Sequence, residues 1–159
     1  MTFVEIYLIA GAVILGMMTV LWILSLILRD SSIVDPFWGA GFVITAWLYF
    51  ALTPAGFPAR KWLLCAWATV WGLRLSIHLL LRNWGKGEDF RYRKWREEAG
   101  GQWWWRSLFK VFLLQGLLMW IISTPLLAAQ ISPSPARLGI FDALAVLVWG
   151  IGFFFEAVG

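Results

Sequence analysis

Apolar runs separated by short polar breaks dominate this chain. The first covers residues 3–28. At ~1.5 Å per helical residue it is long enough for a hydrocarbon core of roughly 30 Å. No Lys or Arg precedes it and it exceeds a signal-peptide core, so it reads as a retained span. Gly11 and Gly16 on it are candidates for close helix packing. Arg29-Asp30-Ser31-Ser32 interrupts the pattern, and apolar sequence resumes over residues 37–52. Asp35-Pro36 ahead of that run is a helix-start pattern, a capping carboxylate followed by Pro at the first helical position. A Pro- and Gly-bearing turn leads to Arg60-Lys61-Trp62 and a third run to about residue 81. A fourth covers residues 107–129, with Ser107 as its cap and Pro125 as a kink. Ser132-Pro133-Ser134-Pro135 is a stiff linker, and a fifth run goes from Leu138 to the end. The pattern predicts an all-α polytopic membrane bundle of about five transmembrane helices, forming a single membrane domain over residues 1–159.

Composition strengthens that reading. The chain is 61% hydrophobic and 14% charged, against about 25% charged in soluble domains. Thirteen Trp and twelve Phe suit headgroup-level anchoring. The net charge of +4 is distributed unevenly. With five spans, Arg29, Arg82, Lys86, Arg91, Arg93, Lys94, Arg96, Arg106 and Lys110 share one side, and Arg60, Lys61 and Arg137 the other. The positive-inside rule then places the 82–106 loop and the C-terminus in the cytoplasm and the N-terminus outside. The basic residues are confined to one short loop, so nucleic acid is not an expected partner. Cys65 and His78 are each the only residue of their type and lie far apart, so neither a disulfide nor a zinc or haem site is expected.

The topology brings polar residues to a common depth. Arg74 lies roughly 12 Å and His78 roughly 6 Å from the cytoplasmic end of the third span. Gln115 is at comparable depth, Glu156 is near the inner end of the fifth span, and Asp35 begins the second. Such groups cost about 2.5–3.5 kcal/mol when unpaired in a bilayer, so they turn inward and find partners. Trp71, Arg74, His78 and Arg82 share one helix face. A single cytoplasm-facing polar cavity is the reading these positions share. Each also has a plainer one: Asp35 as a cap, Arg74 reaching headgroups by its long stem, His78 as an interfacial histidine, Gln115 as a helix–helix hydrogen bond, Glu156 as an end-of-span residue.

The stretch 82–96 is the one long polar run. Arg and Lys can fork onto phosphate oxygens, and Gly85 and Gly87 permit close backbone approach. Glu88 and Asp89 can accept from ribose hydroxyls or orient Arg91 and Arg93. Trp84, Phe90, Tyr92 and Trp95 offer flat faces. An anionic dinucleotide fits this set, and so does anionic membrane lipid gripped by a basic interfacial loop. The run is not a G-x-G-x-x-G fingerprint and no strand precedes it, which rules out a Rossmann reading.

Residues 32–39 (SIVDPFWG), 71–75 (WGLRL) and 82–92 (RNWGKGEDFRY), with 111–115 (VFLLQ) and 152–157 (GFFFEA), resemble a bacterial family of uncharacterised membrane proteins related to steroid 5-alpha-reductase. The resemblance implies an NADPH-dependent oxidoreductase acting on CH–CH groups, integral to the bacterial inner membrane. Its substrate would be a lipid-like enone entering from the bilayer. It implies Arg82, Asn83, Lys86, Arg91 and Arg93 at cofactor phosphates, Tyr92 stacking, and Glu88 and Asp89 beside them. Asp35, Arg74, His78 and Glu156 would line the reaction cavity. The family pattern continues beyond Gly159 with further polar motifs. The chain therefore reads as the N-terminal part of a longer fold, with an incomplete cofactor site and no activity of its own. The related fold also hosts isoprenylcysteine-methyltransferase-like enzymes, and a non-catalytic lipid-binding protein is the remaining alternative.

Overall fold

The structure is a computed structural model and is described for residues 1–158. Among these there is no strand, and five helical stretches are long and apolar enough to cross a membrane: Phe3–Leu28, Ser31–Leu52, Pro58–Asn83, Phe90–Ile131 and Ile140–Val158. Helix α1 (Phe3–Leu28) opens on a capping box, in which the Thr2 hydroxyl accepts from the Glu5 amide and the Glu5 carboxylate accepts from the Thr2 amide. It ends at Arg29, whose φ of 52° lies in the left-handed region. A 3-10 turn, Ser31–Ile33, then feeds directly into α2 (Val34–Leu52). The cap here is Asp30, which accepts from the Ser32 amide at 2.8 Å. Asp35 is therefore not the cap that the Asp-Pro pair predicts. The turn begins the helix earlier, and the Asp35 carboxylate is left free for tertiary partners.

Helix α3 (Pro58–Asn83) starts on proline, whose missing N–H is no loss at the first helical position. Residues 82–106, read from sequence only as a loop, contain α4 (Phe90–Ala99). Asp89 caps it, and Tyr92, Trp95 and Ala99 give it one apolar face that joins the core. The fourth rod begins at Trp103, earlier than expected. It comprises α5 (Trp103–Ser107), a π-helical segment Leu108–Leu113, α6 (Leu114–Ile122) and α7 (Thr124–Ile131). Ser107 is thus inside the rod, its hydroxyl donating to the Trp104 carbonyl, and does not cap it. The break falls at Ser123, and Pro125 restarts the helix as an early residue of α7. The last helix is α8 (Ile140–Val158).

Helices α2 and α3 form the tightest pair. Their backbones meet at Gly39 and Gly72: a methyl group on Gly72 would sit 2.6 Å from the Gly39 carbonyl oxygen, and one on Gly39 would run into the Gly72 carbonyl. Helix α1 closes the other side, where Ile14, Met18, Phe112 and Met119 are buried together. Of the two glycines singled out on α1, Gly11 is a packing position, since a methyl there would press on the Trp120 ring. Gly16 faces open space. Lys61 is buried, its ammonium on the Thr53 carbonyl at 2.6 Å and over the Phe50 ring, so it neutralises the C-terminal end of α2.

Helix α8 is attached differently. No residue of it is buried. It runs parallel to α3 and touches it through side-chain tips: Arg60 to Asp142 at 2.9 Å, Trp67 stacked on Trp149 at 5.5 Å, and Arg74 to Glu156 at 2.8 Å. Both ion pairs join residues 82 positions apart, as do the two indoles, and the α3 members recur every seven residues.

The glycine geometry predicts opposite outcomes for two substitutions. Gly72→Leu overpacks the α2–α3 contact and should lower the thermal midpoint in detergent by an amount equivalent to about 1–3 kcal/mol. Gly16→Ala should leave it unchanged or raise it slightly, because alanine is the better helix former by up to about 1 kcal/mol. Thermal denaturation of the two purified variants beside the parent chain checks both.

Candidate functional site

The polar loop is fastened to the turn between α1 and α2 by one carboxylate. Both oxygens of Glu88 receive the Arg96 fork, at 2.9 and 2.8 Å, and one also receives the Ser31 amide at 2.8 Å. The Ser31 hydroxyl accepts from the Trp103 indole at 3.2 Å. The Ser32 hydroxyl accepts from the Asp89 amide and donates to Asp30. Burial of Glu88 opposes its ionisation, but the hydrogen bonds from Arg96 and Ser31 outweigh it and hold the carboxyl below its ordinary value. The Asp89 carboxyl is also depressed, chiefly by the hydrogen bond from Arg91.

This fastening sets α4 across the end of the bundle and points Tyr92 inward. Tyr92 is buried, and its hydroxyl donates to Asp35 at 2.6 Å, within the range of charge-assisted bonds. Arg91 donates to the other Asp35 oxygen at 3.2 Å and is itself held by Asp89 at 3.0 Å. The Gln115 amide approaches the Tyr92 oxygen at 3.5 Å. These groups, with Arg82 and the apolar side chains of Trp38, Leu75, Leu79 and Leu118, line a hollow of about 450 Å³. That volume falls in the range of small-molecule sites. The hollow offers a tyrosine hydroxyl held against a carboxylate, with a guanidinium balancing the charge. Such a set can donate to, and stabilise charge on, a ligand oxygen.

A second, smaller hollow of about 170 Å³ lies behind it, lined by Asp30, Ser32, Asn83 and Trp84 with Gly85 and Gly87. Both glycines have positive φ, 72° and 70°, which explains their place in the turn. Asn83 Nδ2 is buried without a hydrogen-bond partner among the described residues. Arg82 and Lys86 have no carboxylate partner there either. Arg93 donates to the Glu88 carbonyl.

The residues expected from depth in a single polar cavity are divided between two separate places in the structure. Asp35, Arg82, Arg91, Tyr92 and Gln115 converge under α4. Arg74 and Glu156 pair with each other between α3 and α8, where Trp71 also donates to Glu156 at 2.7 Å. His78 is exposed and joins neither group. The stripe on α3 splits because Trp38, Phe42 and Trp71 stack edge to face and form a partition between the two sides. Ser31, Arg96 and Trp103 were not singled out from sequence. Their only advance signal was the serine pair after Asp30 and an arginine two helical turns beyond Glu88.

The lowered Glu88 value fixes a pH dependence. A depressed carboxylate stabilises the docked loop above its ordinary value of 4.5, and that contribution is lost as pH falls through the lower folded value. Protection of the α4 amides, corrected for intrinsic exchange, should therefore hold from neutrality to about pH 5 and fall as pH drops below the ordinary value. Glu88→Gln should lower that protection at neutral pH, by the roughly 1.5–3 kcal/mol that a charge-assisted bond contributes, and the difference from the parent should vanish in acid.

No curated protein and no solved structure matches the chain. A family model does, over residues 21–159, which include the α1–α2 turn, the polar loop and every residue that lines the hollow under α4. The chain belongs to the family described as protein of unknown function, DUF1295.

Proposed function

We propose that this chain provides the carbonyl-binding and phosphate-binding side of a membrane-embedded, NADPH-dependent reductase acting on the carbon–carbon double bond of a lipid-like enone. The observation that carries the reading is the Tyr92–Asp35 hydrogen bond, backed by Arg91, inside a hollow with apolar walls. The likeness of the quoted motifs to relatives of steroid 5-alpha-reductase supports it.

The residues present fit part of such a cofactor. Among the described residues Arg82 and Lys86 are cations without carboxylate partners, and Asn83 offers a buried donor that no protein group there uses. These would hold phosphate oxygens. Glu88 and Asp89 are committed to Arg96, Ser31 and Arg91, so their part is to orient the basic side chains. When bound, reduced nicotinamide supplies a hydride to the β carbon of the enone. Tyr92 turns its hydroxyl from Asp35 to the substrate carbonyl and stabilises the enolate oxygen as charge develops there. Until then Asp35 holds the tyrosine in place, and Arg91 balances the charge of the carboxylate that the turn frees. A proton taken from solvent water at the α carbon completes the saturated ketone. Trp38, Leu75, Leu79 and Leu118 exclude water from the face that reacts. The loop end of the bundle faces the cytoplasm in this reading, where the cofactor is.

The test uses the protein expressed from its natural reading frame in lipid nanodiscs. NADPH should quench its tryptophan fluorescence saturably, and Arg82→Ala or Lys86→Ala should weaken binding at least about ten-fold. Tyr92→Phe should leave NADPH affinity intact and lower NADPH oxidation with an α,β-unsaturated ketone by roughly 10²–10⁴-fold. Saturable binding of S-adenosylmethionine in place of NADPH would overturn the reading and favour a methyltransferase.

A further inference from the structure

On the far side of the Trp38–Phe42–Trp71 partition lies a separate cavity of about 480 Å³ between α2, α3, α7 and α8. Its walls are apolar, and one is a ladder of flat rings, with Trp67 on Trp149 at 5.5 Å and Trp149 on Phe153 at 5.0 Å. Those planes are within 11° of parallel. The ring stack holds α8 away from α3, so the gap is set by side chains and not closed by backbone packing. The two ion pairs bound the gap along the helix axis. Arg60–Asp142 stands at one end and Arg74–Glu156 at the other, and only the latter reaches the cavity wall, through Glu156. On α3 the lining extends from Leu64 to Trp71, roughly 10 Å of helix.

We infer that this cavity is a second ligand site, for a neutral, lipid-soluble alcohol with a ring or short isoprenoid body. The body lies along the Trp67–Trp149–Phe153 wall. The hydroxyl donates to Glu156, the carboxylate in the wall, with Arg74 beside it. Glu156 accepts from Trp71 and Arg74 yet keeps more than a third of its side chain accessible, so it has lone pairs left for a donor. Arg74 spends two nitrogens on Glu156 and has N–H groups left for an acceptor. A hydroxyl is both. A carboxylic acid would be repelled by Glu156, and an amine would compete with Arg74 for it. An acyl chain of the surrounding bilayer offers nothing to the polar end. The site is distinct from the Asp35 hollow, and does not depend on the reductase reading.

The probe is a diazirine-bearing farnesol, photo-crosslinked to the full chain in nanodiscs, with its methyl ether as the control that keeps an acceptor but loses the donor. Labelled peptides should map to residues 64–71 and 149–156. Unlabelled farnesol should compete, and the methyl ether should compete at least about ten-fold less well. Ala68→Phe places a ring in the cavity and should abolish labelling there while leaving NADPH binding unchanged. Tyr92→Phe should do the opposite, leaving labelling intact. If Ala68→Phe does not fold, the alcohol-against-ether comparison on the parent chain still decides. Labelling spread evenly over all lipid-facing helices, or equal competition by alcohol and ether, would overturn the inference. Loss of labelling in Tyr92→Phe would overturn the independence of the two sites.

Discussion

The docking of Glu88 onto Arg96 and the Ser31 amide is the contact on which the polar end of the molecule depends. Residues 84–89 contain two glycines in left-handed conformations and no apolar side chain that enters the core. The other tie from that stretch to the α1–α2 turn is the weaker bond from the Asp89 amide to the Ser32 hydroxyl at 3.3 Å. One carboxylate with three donors from two distant segments closes the loop, and α4 then has a fixed start at Asp89. From that start, helical geometry sends Tyr92 and Trp95 inward and Arg93 and Lys94 outward, with Arg91 at the rim of the hollow. The Tyr92–Asp35 bond is thus set by a contact that lies outside the hollow. This is how a polar group on a mobile kind of element can be as well positioned as one on a span.

The second constraint is the close approach of α2 and α3 at Gly39 and Gly72. It brings Trp38, Phe42 and Trp71 into mutual edge-to-face contact and so divides the interior. On one side the lining is mixed, with titratable groups from α2, α3 and α4. On the other it is aromatic, with one carboxylate at its end. Two chemically different spaces in a small bundle follow from a pair of residues that have no side chains.

The spans were legible from hydropathy because apolar run length is nearly sufficient to define them. Depth also brought Asp35 and Gln115 to one polar neighbourhood, but it grouped them with Arg74, His78 and Glu156, while Arg82, Arg91 and Tyr92 read as part of a separate cofactor loop. What sequence did not disclose was pairing. Arg74 and His78 lie on one helix face, yet a helix face is wide enough to look into two different spaces, and only the packed position of α8 decides that Arg74 meets Glu156. The cap was misread for a related reason. Asp35-Pro36 and Asp30-Ser31-Ser32 are both good start signals, and the 3-10 turn that links them has no periodicity to read. Helix α4 was hidden by its charge: six of its ten residues are Arg, Lys or Glu, and its apolar face is narrow.

The π-helical segment at Leu108–Leu113 has a consequence for how this rod tolerates change in length. A π turn accommodates a residue more than an α turn does, so it resets the angular phase of everything that follows. Upstream, Trp103 and Ser107 are buried; downstream, Gly116 and Met119 are buried while Gln115 turns toward Tyr92. Loss of one residue within the segment would let the turn close to α pitch with the parts on either side nearly unrotated, whereas the same loss in α5 would turn the downstream half by about 100° relative to Trp103. Only in the second case would Gln115 leave the hollow. The segment is a place in this rod where the residue count can change without re-aiming Gln115 and Met119.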